Sequence, residues 1–237
     1  MEKSASQFRV RAHNTAAASE NKIHDDQVAA KYGFRGGLVP GVTVYGYMVP
    51  AILEQLGNAW IVHGSANVRF HAPCYEGEMV LARCDGSNVT AEREDRSIYA
   101  SGTVSADREL SLKQFPEYDL PAMEDRPLAS AETITTGLPL GTLREVLDVA
   151  DETGIPERLL RMANEILVRN FRMSPWIHAG SHVTHHAKTS PGATITVNGM
   201  IEERFERKGR RFAVAALTMM EDGRAVASAR HTFIYEL

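Results

Sequence analysis

Residues 60–77 read WIVHGSANVRFHAPCYEG, and residues 176–192 read WIHAGSHVTHHAKTSPG. Both begin Trp-Ile, reach Gly-Ser shortly after and end in a loop carrying proline and glycine. Gly64 falls on Gly180 and Ser65 on Ser181 at a constant offset, with Gly77 and Gly192 close to the same register. A chain that repeats itself has to bury the same kind of face twice, so two copies of one supersecondary unit are the simplest fold that satisfies it.

The flanks repeat as well. After the first copy, residues 78–107 alternate apolar and polar in two stretches around a charged turn at Glu92–Arg96. After the second, ATITVNGMIEERFE, RRFAVAALTMM and RAVASARHTFIYEL are separated by turns at Lys208-Gly209 and Glu221-Asp222-Gly223. Period-two alternation broken by glycine-bearing turns predicts antiparallel meanders. A helical segment precedes each copy. Residues 42–56 are apolar almost all round, which predicts a helix buried on most sides, with Pro50 kinking it or changing its direction. Glu157–Arg169 follows Pro156, a residue suited to a first helical turn. Between the halves, residues 111–132 carry prolines and acids without periodicity and read as a linker. The fold class is therefore α+β, with a unit over 1–110, a linker over 111–132 and a second unit over 133–237.

Composition narrows the function classes. With 237 residues, 43% apolar and 24% charged, the chain is an ordinary globular one. A net charge of −4 gives no bias toward nucleic acid or an anionic membrane. The basic run Arg204–Arg211 reads as a hairpin turn with solvated flanks. Two cysteines, Cys74 and Cys84, make neither a disulfide framework nor a zinc site and read as free thiols. No run approaches a membrane span, and the first residues lack the apolar core of a signal peptide, so a cytoplasmic protein is expected.

Residues 19–41, SENKIHDDQVAAKYGFRGGLVPG, carry the strongest motif. Asn21, His24 and Asp26 are followed by a short Ala30-bearing helix, by Gly33-Phe34, and by Leu38-Val39-Pro40-Gly41-Val42 leading into the apolar helix. This resembles the MaoC-like (R)-specific enoyl-CoA hydratase group, whose signature is Asp-x-Asn-Pro-x-His-x-Asp, a short helix, Gly-Phe, then Ala-His-Gly-Met at the start of a central helix. VRFHAPCYEGEMV, with Pro73 and Gly77, resembles the group's next strand and turn. The resemblance is closest over residues 19–80 and architectural beyond. It implies a double hotdog fold, two units each with an antiparallel sheet wrapped around a long buried helix, the second unit lacking the motif. Ser19 stands where the group has its catalytic aspartate, Lys22 where it has the motif proline, and Pro40 where it has the histidine before the glycine.

The resemblance further implies a hydratase or dehydratase acting on an enoyl or 3-hydroxyacyl thioester of coenzyme A or acyl carrier protein. It calls for no cofactor, the coenzyme A or phosphopantetheine thioester being substrate. In that reading His24 exchanges protons with water, and Asn21 and Ser19 position water or substrate. Gly41, with Pro40 and Val42 on either side, offers backbone N–H groups to the thioester oxygen. The chemistry fits the residue types. His24 alone in the stretch can take and give a proton near neutral pH. The first N–H groups of a helix lack partners, and glycine lets a substrate approach them. Asp25 or Asp26 would cap the short helix and Gly33 would end it.

Two rivals remain open: a hotdog thioesterase, and a non-catalytic acyl-thioester-binding protein. Neither nucleic acid nor a membrane is expected as a partner. The chain would stand alone or form a homodimer. His182, His185 and His186 do not make a metal site: on a strand His182 and His186 are about 13 Å apart and His185 faces the other way. One of them could line a cleft between the halves. Cys74 has no sequence neighbour that would activate it as a nucleophile. His13, His63, His71, His178 and His231 read as strand or surface residues.

Overall fold

The computed structural model describes residues 4–107 and 112–237. The first half runs β1 (Ser6–Arg11), α1 (Asp26–Lys31), α2 (Gly41–Leu56), α3 (Ala59–His63), β2 (Ser65–Phe70), β3 (Met79–Asp85), β4 (Asn88–Glu92) and β5 (Ile98–Ser105). The second runs β6 (Pro139–Val146), α4 (Ile155–Asn170), β7 (Ile177–His185), β8 (Thr194–Arg207), β9 (Arg210–Glu221) and β10 (Arg224–Glu236).

All the strands join one 10-stranded sheet in the order β1-β3-β4-β5-β2-β7-β10-β9-β8-β6. From its outer edge inward, the first half reads first, third, fourth, fifth, second strand. The second half, from the opposite edge, reads the same. The halves meet where β2 pairs antiparallel with β7, Ser65 opposite Thr184 and Arg69 opposite Gly180. The seam is thus built from the two copies of the Gly-Ser repeat. Gly180 is required there, because a Cβ would sit 2.7 Å from the Val68 carbonyl oxygen.

Each half contributes one long helix. α2 packs on β1, β3 and β4, α4 packs on β6, β8 and β10, and the helices touch each other. Val42, Tyr45, Met48, Val49 and Ile52 on α2 are buried, as are Leu159, Leu160, Ala163, Ile166 and Leu167 on α4. α2 continues through Pro50, whose ring lies on the exposed side. Pro156 occupies the first turn of α4. No helix among the described residues is long and apolar enough to cross a membrane.

Three details differ from the sequence expectation. The stretch before Glu92 is two strands, β3 and β4, joined by a two-residue Gly86-Ser87 turn in which Gly86 has φ 58°. Trp60 lies in α3 and donates its indole N–H to the Ser65 carbonyl (3.0 Å), whereas Trp176 directly precedes β7. Residues 112–132 form no helix or strand, but they are laid against both halves. Thr142 N–H donates to the Tyr118 carbonyl (2.8 Å), and Arg126, buried, makes a two-pronged ion pair with Glu20 (3.0 and 3.2 Å). The boundary expected between 110 and 111 lies outside the described residues.

Candidate functional site

A cleft of about 1010 Å³ lies between the halves, lined from the first by Asn21, His24 and Gly41 and from the second by Asn164, His178 and His182. Its first wall begins with the motif segment. Residues Lys22–His24 form a single 3-10 turn, and Asp25 caps α1 by accepting from Gln27 N–H (2.9 Å) and Val28 N–H (3.0 Å). Gly33, at φ 82°, follows α1, and the chain turns back over the 3-10 turn. Gly37 is pressed so close to His24 that a Cβ would lie 2.1 Å from its carbonyl oxygen. This close pass brings the Leu38 carbonyl to within 2.6 Å of His24 Nδ1.

A carbonyl can only accept, so Nδ1 carries the proton and Nε2 carries the lone pair. Nε2 lies 3.3 Å from the Asn21 amide nitrogen. Burial lowers the His24 pKa, with the Leu38 bond opposing and the positive Arg161 adding to the drop. The ring is therefore a neutral base at neutral pH, its tautomer set by the backbone.

Asn21 lines the cleft with its amide engaged on protein groups. Its oxygen accepts Trp176 N–H (3.2 Å) and Ile23 N–H (3.4 Å), and its nitrogen donates to the Trp176 carbonyl (3.0 Å) and toward His24. With its amide so occupied, Asn21 clamps the His24 turn to the start of β7. Ser19 does not line the cleft, and its hydroxyl donates to the Asn21 carbonyl (3.2 Å). The adjacent Glu20 is held by Arg126.

Gly41 and Pro40 line the cleft and Val42 is buried behind them. Pro40 precedes α2, and its carbonyl accepts from Thr43 and Val44 N–H (3.0 and 3.1 Å). The N–H groups of Gly41 and Val42, ahead of that bond, have no carbonyl one turn earlier to receive them. The positive end of the helix dipole adds to their pull on a partial negative charge.

The opposite wall holds a cluster absent from the sequence reading. His178 Nε2 lies 2.8 Å from Ser181 Oγ, which lies 2.9 Å from His231 Nδ1. All three residues are buried, and the two imidazoles stack at 4.2 Å. In a regular strand, residues three apart face opposite sides. Here β7 pairs with β10 through a bulge, Gly180 opposite Thr232 but His178 opposite Phe233, and the extra residue Ala179 brings His178 onto Ser181's face. His231 sits directly across from Ser181. His178 and His231 are strand residues, as read, but they are interior ones. His182 lines the cleft, while His185 is buried beside Trp60.

Several buried polar atoms of the cleft wall lack a protein hydrogen-bond partner: His178 Nδ1, Asn164 Oδ1 and Trp176 Nε1. Orphaned buried polar groups are costly and cluster where a ligand completes them. Cys74 also lines the cleft, but burial pushes its thiol up to about 12, so it is not a nucleophile at neutral pH.

No family model matches the chain, and no curated protein matches it in sequence. Solved structures do match. A Mycobacterium tuberculosis protein described as having a double hotdog fold aligns with TM-score 0.56 at 12% identity, over 98% of this chain and 96% of its own. The chain has a hotdog fold. A MaoC-like dehydratase aligns at TM-score 0.55 and 12% identity over 98% of both chains. An acyl-CoA thioesterase II from Mycobacterium marinum aligns at 0.54 and 14% over 82% of this chain and 88% of its own. Identities this low speak for the fold alone.

Gly41 offers a direct check on how tightly this hotdog cleft is built. A Cβ there would lie 3.0 Å from His178 Nδ1 and 3.1 Å from the Phe70 ring. His178 is held by Ser181, so it yields poorly. Overpacking costs about 1–3 kcal/mol, and alanine's better helix propensity returns at most about 1. Gly41→Ala is expected to lower stability by about 1–2 kcal/mol, read as a lower urea midpoint at unchanged slope.

Proposed function

We propose that the chain is a double hotdog, with units over 1–110 and 133–237, that adds water to an enoyl thioester or removes it from a 3-hydroxyacyl thioester. The observation carrying this reading is His24: a cleft-lining imidazole with Nδ1–H fixed on a backbone carbonyl and Nε2 basic, sharing its cleft with the start of α2. In hydration, water replaces the long 3.3 Å Asn21 contact at Nε2 and gives up a proton there as its oxygen bonds to C3. The displaced electron pair moves onto the thioester oxygen, which the N–H groups of Gly41 and Val42 hold. The imidazolium then returns its proton to C2 on the same face. One base thus accounts for both protons, with no partner carboxylate needed. The neutral His178 beside Gly41 adds no competing charge.

A thioesterase would aim the same water at the carbonyl carbon, and the thioesterase among the structural neighbours favours that second reading. Among the described residues no aspartate or glutamate lines the cleft, which weighs against a carboxylate-activated hydrolase. A panel of enoyl-CoA substrates decides the matter. Loss of absorbance from the conjugated thioester without free thiol supports hydration, and free thiol supports hydrolysis. Thermal stabilisation with neither supports a binding protein.

Ser19→Asp sharpens this test. Ser19 donates to the Asn21 carbonyl and does not line the cleft, so the new carboxylate, which cannot donate, is expected to leave the rate unchanged and to lower stability by about 0.5–1.5 kcal/mol. A rate gain of an order of magnitude would instead mean that position 19 reaches the reacting atoms.

A further inference from the structure

The basic run Arg204–Arg211 forms the hairpin between β8 and β9. Phe205 pairs with Phe212, Glu206 with Arg211, and Arg207 with Arg210, and the turn is Lys208-Gly209 at φ 52° and 72°. Strand alternation puts Phe205, Arg207, Arg210 and Phe212 on one face. Those four and Lys208 line the cleft, whereas Glu206 and Arg211 do not, and Arg211 pairs with Glu236 (2.9 Å).

The cleft-facing side of the hairpin is therefore purely cationic and aromatic. Arg207, Lys208 and Arg210 have no ion-pair partner among the described residues, and neither does Arg69, which lines the cleft from β2. Arg230 also lines the cleft but is paired with Glu202 (2.6 Å) and Glu203 (3.5 Å). Acids outnumber bases in the chain, 30 to 26, yet no acid lines the cleft among the described residues. Placing Arg207 directly opposite Arg210 is destabilising by itself, because like charges across a strand pair repel. An anion between them would relieve that repulsion. The Phe205 and Phe212 rings stack at 4.9 Å, nearly parallel, with Phe205 37% exposed.

We infer that the β8–β9 hairpin binds the adenine nucleotide end of coenzyme A. Arg207, Lys208 and Arg210 take its phosphates, Phe205 offers a ring face to the base, and the pantetheine arm runs along the cleft toward His24. The inference rests on the thioester reading and names its carrier. The combination of flat aromatic and cations on one concave-lining face suits a nucleotide. An acidic carrier protein needs charge alone, spread over an outer surface.

Titration calorimetry with coenzyme A, 3′-dephospho-coenzyme A and pantetheine tests it without requiring turnover. Affinity is expected to fall in that order and to weaken with added salt for the two nucleotides only. Arg207→Glu combined with Arg210→Glu should weaken coenzyme A by about tenfold or more while leaving pantetheine unchanged, since charge-assisted bonds to phosphate are lost. Phe205→Ala should weaken both nucleotides. Equal affinity for coenzyme A and pantetheine would overturn the inference, as would charge reversal without effect. So would a holo carrier protein that binds through these arginines while coenzyme A does not. Hairpin-dependent binding without turnover leaves the subsite standing and removes the chemistry. Turnover of a short pantetheine-like thioester that is indifferent to the hairpin, with coenzyme A binding equally indifferent, does the reverse.

Discussion

His24→Ala is expected to lower the hydration rate by about 10²–10⁴-fold, the range for losing a general acid–base group. The reason is local. No carboxylate lines the cleft among the described residues, so no other anionic base stands ready, and His178 already holds Ser181 with one nitrogen while the other is packed against Gly41. Substrate affinity should change far less, because the nucleotide and helix-terminus contacts remain. The wild-type rate should also show its acid limb below pH 6.5. Burial holds the His24 pKa beneath the ordinary histidine value, so protonation removes the base only below it. A limb above pH 7, or a His24→Ala variant of full activity, would place the chemistry elsewhere.

The second large effect is on stability. Burial lowers His185 to about 4 and His231 to about 3, and burial with His231 stacked beside it takes His178 well below the usual value. The folded state keeps these rings neutral at pH values where the unfolded chain, titrating near 6.5, binds a proton on each. Stability is therefore full above 6.5 and falls as the pH drops toward the folded values. Each ring contributes a slope of about 1.4 kcal/mol per pH unit, so His185 and His231 together remove roughly 4 kcal/mol by pH 5, and His178 acts in the same direction. Domains of this kind have about 5–15 kcal/mol in all, so acid unfolding should set in near pH 5. Urea titrations at a series of pH values measure the slope directly. Replacing His185 with leucine should reduce it by about 1.4 kcal/mol per pH unit. A flat profile between pH 7.5 and 5 would mean that these rings are not buried as neutral groups.

Much of this architecture was legible in the sequence, because its signals were local and repeated. The Gly-Ser register at residues 64 and 180 marked what became the central β2–β7 seam, and the three long strands after Gly192 alternated cleanly between glycine turns. The Gly86-Ser87 turn escaped because it carries no charge cluster to punctuate the alternation. In the site, His24 and Gly41 were readable as a loop histidine and a helix-opening glycine. The contacts of Asn21 and Ser19 were not, since they depend on Trp176, far away in the chain, and on which way an irregular segment turns. The His178–Ser181–His231 cluster was hidden by a bulge: strict period-two reading sends His178 and Ser181 to opposite faces, and only the extra Ala179 reverses that. The basic hairpin was read as solvated because the sequence shows its charge and not the cleft it borders.

The central claim is that water adds at C3 of a thioester that stays intact, through His24. The most direct measurement is mass spectrometry of an enoyl-CoA incubated with the protein in heavy-oxygen water. The account predicts that the label appears in a 3-hydroxyacyl-CoA, with wild type and not with His24→Ala. Label recovered in a free carboxylic acid alongside unacylated coenzyme A would contradict it.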